Sequence, residues 1–115
     1  MAAKPLYETK AVQSATLTEL IAVVPKATVS KPLIDTGLLK QVLFSMDTDQ
    51  EISEHKAPFV ATVHVLDGCL QFTVAGKQRL MCTGAWLLMP PNEPHSLTAT
   101  MPTRFLLTLI KDRQP

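Results

Sequence analysis

The sequence predicts an all-β barrel or sandwich. Short β-branched and apolar runs recur along the chain, turns rich in Gly, Pro and Asp separate them, and helical spacing occurs only once. At 115 residues the chain is one domain by length, large enough to build a single core without staples.

In chain order, residues 1–13 are polar and patternless and are expected to form a frayed N-terminal arm, leaving 14–115 as one barrel domain. Leu17, Leu20, Ile21 and Val24 have helical spacing, with Ser14, Thr16 or Thr18 as caps and Pro25 as a stop. One or two helical turns are expected there. Ala27 to Ile34 mixes β-branched residues with Pro32 and suits an edge strand. Asp35-Thr36-Gly37 turns the chain into a strand over Leu38 to Met46, which Asp47-Thr48-Asp49-Gln50 closes. Phe59 to Leu66 is an apolar strand ending at Asp67-Gly68. Cys69 to Val74 and Lys77 to Cys82 flank Ala75-Gly76, a two-residue hairpin signal. Trp86 to Met89, Ser96 to Thr100 and Arg104 to Ile110 complete the strands. With only 5% aromatics, Trp86 and the Phe and Met residues read as core filling.

Charge excludes some functions. Eleven basic residues face ten acidic ones with no basic stripe, so no nucleic-acid footprint is present. No apolar run approaches the ~20 residues of a membrane span, and the start of the chain has no signal-peptide core. A soluble, cytoplasmic protein is expected.

The most distinctive stretch is Gly84-Ala85-Trp86-Leu87-Leu88-Met89-Pro90-Pro91-Asn92-Glu93-Pro94-His95. It reads as a turn, a short buried strand and a proline-stiffened corner that delivers a histidine. Gly84, Pro90 and His95 fall at the spacing of the second cupin motif, and the chain resembles the cupins here. Asn92 stands where the family has glycine, a residue that tolerates the left-handed backbone region. Ala99 replaces the usual asparagine.

Counting back from Gly68, the first cupin motif places its metal-ligand slots at His55, Ala57 and Ala61, with the opening glycine slot at Asp49. The 15 residues from Cys69 to Thr83 separate the motifs, as in small single-domain bacterial cupins of RmlC-like type. The segments Ile52 to Pro58 and Phe105 to Ile110 are similar to one such group. The resemblance, over Leu38 to Ile110, implies a double-stranded antiparallel β-helix, the jelly-roll barrel, with a short helical turn before it.

Cupins that are oxygenases or isomerases hold iron, manganese, nickel or zinc with three histidines and a glutamate. This chain keeps two of the four slots, His55 and His95, so a divalent metal (Zn, Fe, Ni or Mn) is expected to be weakly held or absent. Glu54 neighbours His55 and points to the opposite face if the strand continues there. His64 alternates with Ala61, Val63 and Val65 and belongs on an outer or subunit-packing face. No nucleophile-elbow glycines flank Ser53 or Ser96, which argues against a hydrolase.

Alanines at two ligand slots leave room for a small apolar pocket lined by Ala57, Ala61 and Val63, with two neutral imidazoles in it. Three functions are compatible: a small-molecule-binding or sensing barrel, a metal-dependent oxygenase or isomerase, and a partner-binding scaffold. A homodimer that uses the early strands is expected, because a small barrel has free edges. In a two-residue hairpin at Ala75-Gly76, paired numbers sum to 151, which sets Cys69 opposite Cys82 at a Cα separation of about 4.5 Å. Free thiols are expected in a reducing cytoplasm.

Overall fold

The computed structural model describes residues 3–111. Among these residues nine antiparallel strands form two sheets: β1 Thr28–Asp35, β2 Leu39–Met46, β3 Glu51–His55, β4 Val60–Asp67, β5 Cys69–Val74, β6 Lys77–Cys82, β7 Trp86–Met89, β8 His95–Ala99 and β9 Thr103–Ile110. One sheet has the order β1-β2-β9-β4-β7 and the other β3-β8-β5-β6. From β2 to β5 and from β6 to β9 the chain passes from one sheet to the other with each strand, in the manner of a jelly roll. The all-β architecture expected from the turn spacing is the one found.

Alternation explains why these strands close on one core. On β4, Ala61, Val63 and Val65 are buried while His64 is exposed, and on β5 Leu70, Phe72 and Val74 are buried between half-buried neighbours. They meet Met46, Met89 and Phe105 from the larger sheet and Met81, Leu97 and Ala99 from the smaller one. Phe44 and Phe105, on paired strands, stack with ring centroids 4.9 Å apart.

A second cluster lies on the outer face of the larger sheet. Leu43 of β2 and Leu106 of β9 are covered by Tyr7, Leu17, Leu20 and Ile21. The Arg104 side chain donates from Nε to the Ile21 carbonyl at 2.7 Å and from Nη1 to Asp67 at 2.9 Å, and Ser45 Oγ donates to the Ala22 carbonyl at 2.8 Å. Of the expected N-terminal arm, Tyr7 takes part in this cluster. The Leu6 and Tyr7 amides also donate to the Pro32 and Leu33 carbonyls of β1, where β1 carries a register shift.

The segment with helical spacing forms the short helical turn expected of it, one 3-10 turn at Leu17–Glu19. Thr16 makes no side-chain cap, and Leu17, Leu20 and Ile21 are used against the sheet. Trp86 is not core filling: it is 62% exposed on the outer face of β7, beside the exposed Leu88. Pairing with β4 sets it opposite His64, on the face away from the core.

The β5–β6 hairpin matches the sum rule throughout, from Val74 opposite Lys77 to Cys69 opposite Cys82. Ala75 and Gly76 both have positive φ, 51° and 76°, the geometry of a type I′ turn. Cys69 and Cys82 have Cα atoms 3.9 Å apart and are joined in a disulfide. The expectation of free thiols is thus corrected, while the opposition that makes the bond possible is the one the hairpin register requires. No helix among the described residues is long and apolar enough to cross a membrane.

Candidate functional site

The site is built where β3 and β8 meet. Leaving β7 at Met89, the chain turns through Pro90-Pro91-Asn92-Glu93-Pro94 and enters β8 at His95. Asn92 has φ 64°, the left-handed conformation its place in the motif requires. Its amide donates to the Ala57 carbonyl at 2.7 Å, fastening the corner to the link between β3 and β4. In the smaller sheet β8 lies between β3 and β5, so His95 pairs with His55 on one side and Val74 on the other.

His55 and His95 converge as the sequence register demands. Their ring centroids are 4.1 Å apart with planes at 60°, an edge-to-face contact. Phe72 lies beside His95 with centroids 5.9 Å apart and nearly parallel planes. His95 is 8% exposed, whereas His55 stands at the mouth in contact with solvent.

Hydrogen bonding sets which nitrogen of each neutral ring carries the hydrogen. His55 Nδ1 is 2.8 Å from the Ser53 carbonyl, and His95 Nδ1 is 2.8 Å from the Glu93 carbonyl. A carbonyl can only accept, so each Nδ1 carries the hydrogen and donates it. A neutral ring held this way presents Nε2 as a bare lone pair. Burial holds the His95 pKa below its ordinary value. The Glu93 carbonyl raises it in part, and the nearby His55 lowers it further.

The rings border a cavity of about 40 Å³, room for on the order of three waters. Phe44, Phe72 and Phe105 form part of its wall, with Val63 from β4 and Leu97 from β8. No lining side chain is a carboxylate, ammonium or guanidinium. Larger hollows of about 220 and 480 Å³ run along the N-terminal segment, but they are open and bordered mostly by exposed side chains. The polar groups that converge in an apolar setting are at the smaller cavity.

Of the residues singled out in the sequence, His55, His95 and Val63 border the cavity. Ala61 is buried in the core but does not reach the wall, and Ala57, half-buried between β3 and β4, serves through its carbonyl. Glu54 and His64 are exposed. The three phenylalanines, Ile52, Met89, Leu97 and Leu107 were not foreseen as wall residues. Their signal is alternation on β2, β3, β5, β7, β8 and β9, which becomes usable only once the sheet order is known.

The donor set does not fit a retained transition metal. Among the described residues no three His, Cys, Asp or Glu side chains come together. Two imidazoles fall short of the three or four donors that select and hold such an ion.

Structural comparison gives the class. A conserved protein of unknown function from Streptococcus pyogenes is 25% identical and superposes with a TM-score of 0.84, covering 99% of this chain and 100% of its own. A cupin superfamily protein from Desulfitobacterium hafniense is 18% identical with a TM-score of 0.83, covering 97% and 100%. A cupin 2 conserved barrel domain protein from Leptotrichia buccalis is 32% identical with a TM-score of 0.78 over 82% of this chain, which spans 46% of that protein. No family model and no curated protein matches the sequence. The chain is a cupin by fold, a single barrel whose structural neighbours are cupin superfamily proteins.

Proposed function

We propose that this cupin binds a small molecule in the barrel mouth, with His55 and His95 as its polar contacts and without a resident metal. The carrying observation is the pair of tautomer-fixed imidazoles, each with Nδ1 committed to the backbone and Nε2 unbonded among the described residues. Such nitrogens at an otherwise apolar cavity are ready-made acceptors for a ligand. The cavity is small, so the ligand enters with a head of a few atoms or displaces the half-buried mouth residues Ile52 and Leu107. Titrating chelator-treated protein with a small-molecule library, followed by methyl NMR, tests this. Shifts centred on Val63 and Leu97 support it, and shifts confined to the barrel exterior refute it.

A metal-dependent oxygenase or isomerase is the second reading. One observation favours it: a histidine that donates Nδ1–H to a backbone carbonyl is oriented as metal-bound histidines usually are. The two donors present make occupancy weak, with water or ligand completing any shell. A barrel serving only as a partner-binding scaffold leaves the paired rings without a role.

We further infer a homodimer. Leu6 and Tyr7 cover the edge of β1 at Pro32 and Leu33, and we place the contact on the outer face of the larger sheet, to which the early strand β2 belongs. There Trp86, Leu88 and Ile110 are exposed, and the paired positions around them, His64, Thr62, Thr108 and Gln41, include no carboxylate, ammonium or guanidinium group. A face without such groups meets a second copy of itself across a two-fold axis without bringing like carboxylates or ammonium groups together. Light scattering at micromolar concentration tests this: a dimer mass for the native chain and a monomer for Trp86→Glu are expected, and a native monomer refutes it. Cytoplasmic residence, the expectation from sequence, is at odds with an oxidised Cys69–Cys82 pair. Thiol titration of freshly lysed cells under acid quench decides between them.

A further inference from the structure

We propose that the two-histidine cavity selects neutral ligands whose head group donates hydrogen bonds, such as a primary amide or an alcohol, over carboxylates and ammonium ions of similar size. This rests on the small-molecule reading above and adds the polarity of the ligand to it.

The selection follows from what the wall offers. Both Nδ1–H groups are consumed by the Ser53 and Glu93 carbonyls, so neither ring has a donor left while it is neutral. The rest of the wall is aliphatic, aromatic and thioether side chain. The Asn92 amide, the donor of the adjoining corner, is taken by the Ala57 carbonyl. A ligand therefore meets two acceptors, on rings whose centroids are 4.1 Å apart, and no side-chain donor. An NH₂ group has two hydrogens and can address both rings.

A carboxylate has only acceptor oxygens, so it would face two lone pairs and lose its hydration without replacement. An ammonium ion has donors enough, but no carboxylate borders the cavity to balance its charge. A neutral donor avoids both penalties. Leaving a polar group unsatisfied on binding weakens it by roughly ten- to a hundredfold.

The test uses the full chain, stripped of metal with chelator and held at pH 7.5. Acetamide, acetate and ethylammonium are titrated in separate samples. Binding is followed by long-range proton–nitrogen correlation of the imidazole rings and by the Val63 and Leu97 methyls. Acetamide is expected to perturb His95 Nε2 at concentrations about tenfold or more below those of either ion. In His55→Leu, at a solvent-exposed position that tolerates substitution, the preference is expected to fall to about threefold or less, because one acceptor is gone. Acetate or ethylammonium matching acetamide in the native protein overturns the selection and leaves the small-molecule reading standing. A tenfold preference retained in His55→Leu also overturns it, since the pair then does not make the choice. Failure of all three probes to perturb the cavity overturns both.

Discussion

Replacing Gly68 with alanine is expected to destabilise the barrel by roughly 3–5 kcal/mol. Gly68 closes β4 and starts the hairpin of β5 and β6 with φ 103°, outside the range that side chains readily adopt. A Cβ there would overlap Thr103 Oγ1 and stand 2.5 Å from the Pro102 carbonyl oxygen and 2.6 Å from Thr103 Cα. Two of these are backbone atoms, so rotation of a flexible side chain cannot relieve the overlap. Thr103 is also a hub: its Oγ1 accepts from the Cys69 amide at 3.0 Å and lies 2.8 Å from the Met101 carbonyl. Strained backbone contributes about 1–2 kcal/mol, overpacking about 1–3, and each weakened hydrogen bond about 1. Urea unfolding followed by far-ultraviolet circular dichroism measures the difference. Gly37→Ala is the control, because its Cβ meets nothing within 4 Å and its φ is not positive, and it should change stability by less than about 1 kcal/mol. A Gly68→Ala variant as stable as Gly37→Ala would refute the close approach of β4 and β9 at this corner.

Stability should also depend on pH through His95. Its folded pKa lies below the ordinary 6.5, so the unfolded chain binds more protons between the two values. The contribution is complete above about pH 6.5 and is lost as pH falls from there towards the folded pKa. Urea midpoints between pH 5 and pH 8 should show this slope, and His95→Gln should flatten it; an unchanged slope in that variant rules His95 out as the source. Reducing Cys69–Cys82, which closes a sequence separation of 13 residues, should lower stability by up to about 3 kcal/mol while keeping the β-sheet spectrum. The hairpin persists because β5 is still paired with β8 along its length. Identical unfolding curves with and without reductant would show that the bond contributes nothing in solution.

Much of the fold was readable because turn chemistry is local. Asp67-Gly68, Ala75-Gly76 and Pro90-Pro91 each fix a corner whatever surrounds them, and the strands between them fell within a residue or so of their observed ends. The fixed register of β5 and β6 even set Cys69 against Cys82. The strand β3 was missed, since only Ile52 of its residues is not exposed and its pairing to β8 is irregular before His55. Trp86 was misassigned for a different reason. Alternation settles which residues share a face but not which face is inside, and a short strand at a sheet edge can leave its largest side chain outward. At the site, the two histidines were legible from motif spacing. Their hydrogen-bond partners were not, because each depends on the ring folding back on the carbonyl two residues earlier. The aromatic wall depends on strands far apart in sequence coming together, which no local pattern encodes.

Metal content decides whether the proposed ligand site at His55 and His95 works without a metal. Elemental analysis of protein purified without added metal or affinity-column nickel, quantified against chain concentration, measures it. Less than about one-tenth of an equivalent of zinc, iron, nickel and manganese together is expected, as two imidazole donors do not retain such ions through purification. Near-stoichiometric content of any one of them, lost on replacing His95 with glutamine, would contradict it.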